Sequence, residues 1–178
     1  MMAYGAGGQA QGVNRNWDSQ LEKSVSQFRA CENTTVAGVN SCNDFIGETL
    51  KTIYRVNDFY SVTDGRYMLV SEIYGYLQNS KRWTLLGKAY EQEALASAQK
   101  LANEKKAVVA IYLSKSNIGQ LAYILPGSLQ PSGTWGFQVP NSAAYFIDKP
   151  KNSYTNKGLS YSFPRNAIQS VLLYTRAY

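Results

Sequence analysis

The chain contains no histidine in its 178 residues. That absence removes the side chain that most often carries protons near neutral pH, and with it the commonest zinc ligand. Only two cysteines are present, Cys31 and Cys42, and without histidine they offer no zinc site, so no cofactor is called for. Charged residues make up only 17% against 44% hydrophobic, enough apolar material for a core that needs no metal or disulfide support. No apolar run approaches the roughly 18 residues of a membrane span. The start Met1-Met2-Ala3-Tyr4-Gly5-Ala6-Gly7-Gly8 has neither a basic n-region nor an apolar h-region. The chain as given is expected to be soluble, with its compartment left open.

What charge there is leans positive. The net charge of +6 admits an anionic partner, but the basic residues are scattered in runs of no more than two, as in Lys81-Arg82 and Lys105-Lys106, which reads as a solvated surface. The 14 tyrosines suit strands and half-buried faces, and no nucleic-acid motif accompanies them, so no specific nucleic-acid partner is expected.

Residues 1–14, with four glycines, read as a flexible tail, and residues 15–178 as a single domain. Trp17, Leu21, Val25 and Phe28 recur at helical spacing and predict a first helix. Glu32 to Ser41 reads as a loop, and a second helix follows from about Cys42 to Val56, with Ile46, Leu50, Ile53 and Tyr54 on one face, Ser41 as N-cap and Asp44 in the first turn. Met68–Leu77 and Gln92–Asn103 supply two more helices. The period then changes. Strands are expected at Lys106–Leu113, Gln120–Leu125, Thr134–Val139, around Tyr145–Ile147 and at Ser170–Arg176. Helices first and an antiparallel sheet after about residue 106 define an α+β domain.

A cysteine opening a helix is where a thiolate nucleophile would be placed, because the unpaired N–H groups there favour the anion. It is also where a small buried core residue would stand. Cys31 and Cys42 either pair as a disulfide, which consumes the candidate nucleophile, or remain free thiols. The expectation taken here is a reduced Cys42 that alkylates faster than Cys31.

The stretch Ser41-Cys42-Asn43-Asp44-Phe45, followed by Gly119-Gln120-Leu121-Ala122-Tyr123-Ile124-Leu125-Pro126-Gly127, resembles the papain-like NlpC-type peptidoglycan amidohydrolases, among them cell-wall amidases delivered as antibacterial effectors. In that family a Cys opens a helix and a Gly-His-Val-Ala strand supplies the base. The resemblance implies N-terminal helices packed on an antiparallel sheet, a cell-wall (peptidoglycan) hydrolase cutting stem-peptide amides, a secreted or periplasmic location and an inhibitor or immunity protein as partner. Carried over, Cys42 is the nucleophile, Gln120 stands at the base position, and Gln138, with Asn141 behind it, supplies the third polar group.

Gln120 breaks that chemistry, since a carboxamide accepts no proton near neutral pH. Asp44, Glu48, Asp58 and Asp64 are better read as first-turn or surface carboxylates than as substitute bases. Gln120 is then either native, in a pseudoenzyme that kept its cleft to bind a muropeptide or a protein partner, or an inactivating substitution. Trp83, Trp135 and Phe137 are expected to wall the cleft or fill the core.

Overall fold

The computed structural model describes residues 13–32, 35–36 and 39–178. Residues 1–12 of the expected tail and residues 33, 34, 37 and 38 of the expected loop lie outside the described residues. Val13 and Asn14 are held in place, their N–H groups donating to the carbonyls of Lys105 (2.9 Å) and Ile53 (2.6 Å).

Among the described residues four α-helices form: α1 (Trp17–Arg29), α2 (Asp44–Tyr54), α3 (Val70–Asn79) and α4 (Gln92–Asn103). The strands are β1 (Thr35–Val36), β2 (Val39–Asn40), β3 (Tyr60–Ser61), β4 (Arg66–Tyr67), β5 (Trp83–Lys88) and β6 (Val108–Leu113). They continue as β7 (Gly119–Ile124), β8 (Gln130–Ser132), β9 (Phe137–Val139), β10 (Asn141–Ala144), β11 (Tyr154–Gly158) and β12 (Leu172–Arg176). Six of them make one antiparallel sheet in the order β11-β10-β7-β6-β12-β5. The domain is α+β, as expected.

Three expectations about the sheet are corrected. The sheet begins before residue 106, because β5 pairs along the outer side of β12. The strand expected at Thr134–Val139 is shorter and pairs only with β8, outside the main sheet. The strand expected around Tyr145–Ile147 lies earlier, at Asn141–Ala144, while β12 lies between β6 and β5.

Both faces of the sheet are covered. On one, Leu21, Val25 and Phe28 of α1, Ile46 and Leu50 of α2 and Ile73 and Leu77 of α3 pack on Val109, Ile111, Leu121 and Tyr123. On the other, Ala94, Leu95, Ala98 and Ala102 of α4 meet Val108, Ala110, Ala122 and Ile124. Burial on two sides explains why β6 reads as an unbroken apolar run rather than an alternation. Small residues bring elements close at two places. A Cβ on Gly47 would run into the ring of Tyr67, so glycine lets the β3–β4 hairpin lie on α2. A Cβ on Gly119 would strike Val70, so glycine lets the start of β7 meet the start of α3.

Tyrosines stitch the helices to the sheet. The Tyr123 hydroxyl donates to the Ile46 carbonyl at 2.6 Å. Tyr145 shares hydrogen bonds with Ser24 (2.8 Å) on α1 and Thr49 (2.7 Å) on α2. Burial pushes the phenol of Tyr145 up to about 12 and those of Tyr54 and Tyr123 well above their ordinary value of 10.0. The unfolded chain ionises these rings near 10 while the folded one keeps them protonated. Their stabilisation is therefore complete below pH 10 and is lost as pH rises toward 12. Each ring should remove about 1.4 kcal/mol per pH unit within that window. Denaturant titrations across it, with tyrosinate absorbance read alongside, should show these phenols ionising in step with unfolding. Ionisation of all the tyrosines in the still-folded chain would count against this.

Candidate functional site

The chain enters α2 through a single 3-10 turn, Ser41–Asn43. Ser41, the expected N-cap, is the first residue of this turn; the turn is capped by Asn40, whose side-chain oxygen accepts the N–H of Cys42 at 2.8 Å, and the residue before α2 is Asn43. Asn43, 3% exposed, donates its amide to the Met68 carbonyl at 2.9 Å and so fixes the turn to the approach of α3. Cys42 is fully buried at the start of this turn.

Cys42 is bonded to Cys31, with the two Cα atoms 6.0 Å apart. The expectation of a reduced, reactive Cys42 is thus corrected. The cause is local: α1 stops at Arg29, and the N–H of Cys31 folds back to the Phe28 carbonyl at 3.0 Å. That places Cys31 beside the turn that opens α2. In this form neither sulfur titrates, and Cys42 Sγ lies 3.3 Å from the Glu32 carbonyl oxygen with no hydrogen to donate.

A cavity of about 500 Å³ opens over this turn. Asn40 and Asn43 form one wall, Leu69, Val70 and Ser71 at the start of α3 a second, and Asn117 to Gln120 a third, with Ile147 and Asp148 completing the rim. The third wall is shaped by the β6–β7 hairpin, where Asn117 adopts a left-handed φ of 64° and Ser114 receives the N–H of Ile118 on its hydroxyl at 3.0 Å. The second wall is fixed by Glu72, whose carboxylate accepts the Leu69 N–H at 2.9 Å and binds Arg66 through two contacts of 2.7 and 3.2 Å. The hydrogen bonds from Arg66 hold the Glu72 carboxyl below its ordinary value. With the sign that follows, this anchor is in force above the usual carboxylate range and is lost only as pH falls through the lowered folded value.

The predicted site residues are only partly brought together. Gln120 and the neighbours of Cys42 border one cavity, and the Gln120 amide donates to the carbonyls of Leu121 (3.3 Å) and Tyr145 (3.4 Å). Gln138 is elsewhere: its N–H donates to Gln92 Oε1 at 2.8 Å and its carbonyl accepts from Gln92 at 2.9 Å, at the start of α4. Asn141 is equally remote, since the pairing of Ser142 with Ile124 puts it beyond the far end of β7, about 17 Å along the strand from Gln120. The polar residue that does border the cavity from this region is Asp148. Its signal was available: β10 runs antiparallel to β7, so the end of β10, not its start, returns to the beginning of β7.

The remaining carboxylates stay away from this cavity. Asp58, read as a surface group, is buried, its side chain 4% exposed, and paired with Arg176 at 2.7 Å. Asp64 accepts the hydroxyl of Ser61 at 2.9 Å. Glu48 borders a separate cavity between α1 and α2, and burial, helped by the nearby Asp44, raises its carboxyl. The aromatic walls are also absent. Trp83 is in the core, donating to Asp58 at 2.9 Å, and Trp135 is in the core, donating to the Phe163 carbonyl at 3.1 Å. Phe137 packs on the α4 side of the sheet.

No helix among the described residues is long and apolar enough to cross a membrane. Compared with known proteins, the chain matches no family model and no curated protein.

Proposed function

We propose that the chain is a binding protein on a papain-like, NlpC-type scaffold, one that holds a peptide ligand without cutting it. The ligand would be a muropeptide or a segment of a protein partner. The observation that carries this reading is the Cys31–Cys42 bond, which ties up the turn that borders the cavity. Cysteine acyl transfer needs a thiolate and a base that returns the proton to the leaving amine. The oxidised chain has no thiol, and the sequence has no imidazole. What borders the cavity instead is a set of neutral amides from Asn40, Asn43, Asn117 and Gln120, groups that donate to and accept from a peptide backbone. A disulfide also fits a secreted or periplasmic setting.

The experiment incubates purified sacculi with the oxidised chain and with Gln120→His, and measures soluble fragments together with bound protein. Both forms should release nothing, and Asn117→Ala should weaken binding of soluble muropeptide by about tenfold, the loss of one or two hydrogen bonds. Fragment release by the oxidised parent would overturn the reading. A second reading, an amidase held off by its own disulfide, draws on the shared cavity of the Cys42 turn and Gln120. It requires that reductant together with Gln120→His bring cleavage up by about 10²–10⁴-fold and that Cys42→Ala abolish it.

A further inference from the structure

We propose that a second, separate groove, between the end of α1, the turn Pro150–Asn152 and β11, binds an acidic peptide segment. Two clefts of about 400 and 460 Å³ share Arg29, Lys151 and Asn152 and so run into one another. Lys149 borders the first and Lys157 the second. Four cations thus meet at one place in a chain whose basic residues look dispersed in sequence. No carboxylate borders either cleft. Of the acids next in sequence or structure to these residues, Asp148 borders the cavity already described, Asp18 accepts the amide of Asn156 at 2.9 Å, and Glu32 follows the Cys31 that lines the first cleft without bordering it itself. The ion pairs found among the described residues use none of the four. Clustering like charges without counter-ions costs folding energy, which an anionic occupant would return.

The chemistry favours carboxylates over nucleic acid. Three of the four cations are lysines, point charges suited to single carboxylates, and the one arginine has its Nε committed to the Ser153 carbonyl at 2.8 Å. Two of the three rings that border the second cleft are taken as well: Lys157 Nζ sits 5.3 Å from the centre of Tyr161 and 5.9 Å from that of Tyr154, leaving those faces unavailable for base stacking, and the third, Phe146, packs on Tyr154 with ring centres 6.3 Å apart. The exposed Asn152 adds an amide for a peptide backbone.

The test uses a fluorescent oligoglutamate peptide, an alanine-based neutral peptide and an oligothymidylate of equal charge, with anisotropy as readout. Oligoglutamate should bind at low salt, more tightly than the other two, and release as salt is raised. Lys149→Glu with Lys151→Glu should weaken it by about tenfold or more. Lys81→Glu with Lys88→Glu, an equal charge change elsewhere on the exposed surface, should change it less than about twofold. Near-ultraviolet circular dichroism confirms that both variants fold. Equal loss in the two variants, tighter binding of oligothymidylate, or no binding at low salt would each overturn the proposal.

Discussion

Replacing Arg176 by methionine is expected to lower stability by about 3–5 kcal/mol and the melting temperature by roughly 6–20 °C. Arg176 donates to Asp58 at 2.7 and 3.3 Å, and only 12% of its side chain is exposed. The same carboxylate accepts the Trp83 indole N–H, and Trp83 stacks on Phe59 with ring centres 5.5 Å apart. Arg82 stands 3.8 Å away but is mostly exposed, so it screens the carboxylate weakly. Without Arg176 a buried anion loses its main partner, and that penalty exceeds whatever the pair contributed. Adding Asp58→Asn should recover much of the loss, because the amide oxygen still serves Trp83 and carries no charge. Calorimetry of both single variants and the double decides it. A single Arg176→Met variant within about 1 kcal/mol of the parent would show the pair to be an ordinary surface contact.

Removing the disulfide is the second large effect. Cys31→Ser with Cys42→Ala frees a loop spanning 11 positions, for which chain-entropy arguments give a loss of about 3 kcal/mol and a drop of roughly 6–12 °C in melting temperature. Alanine suits position 42, which is fully buried, since it adds no polar group to the core there. A reductant should lower the melting temperature of the parent and leave the variant unmoved. In the same experiment iodoacetamide should label neither cysteine of the native chain until it is reduced. Rapid labelling of Cys42 without reductant would remove the bond from the picture and return a thiol to the helix start.

How much was legible in the sequence follows from where each determinant lies. The limits of α4 coincide with those read from Gln92–Asn103, and α1 differs by one residue, because both helices carry apolar stripes of 3.6 period within a single element. The strands β6 and β7 stood out as apolar runs. The edge strands did not: Tyr154-Thr155-Asn156-Lys157-Gly158 is mostly polar, and Trp83-Thr84-Leu85-Leu86-Gly87-Lys88 lies between two helices with a mixed pattern. Edge strands face water on one side and lose the hydrophobic signal. In the candidate site, the helix start and Gln120 were placed near one another from local motifs. Gln138, the third polar group expected because it follows next in sequence, lies against Gln92 at the start of α4, whereas antiparallel pairing of β10 with β7 brings Asp148 to the cavity. The burial of Asp58 could not be read at all, since the residue that makes it tolerable is 118 positions away.

The position of β12 has a bearing on how the molecule is made. Between β6 and β5 there is a slot that only residues 172–176 fill. On the ribosome, β5, α4 and β6 emerge early, yet their sheet cannot close until Arg176 has cleared the exit tunnel. From the emergence of β6 until then the nascent chain must carry two unpaired inner strand edges, one of them on the apolar run Val108 to Leu113. Exposed edges of that kind invite pairing with other chains. A nascent chain held with residues 172–176 still inside the tunnel should therefore be a species that holdase chaperones retain, and emergence of those residues should be the step that frees it.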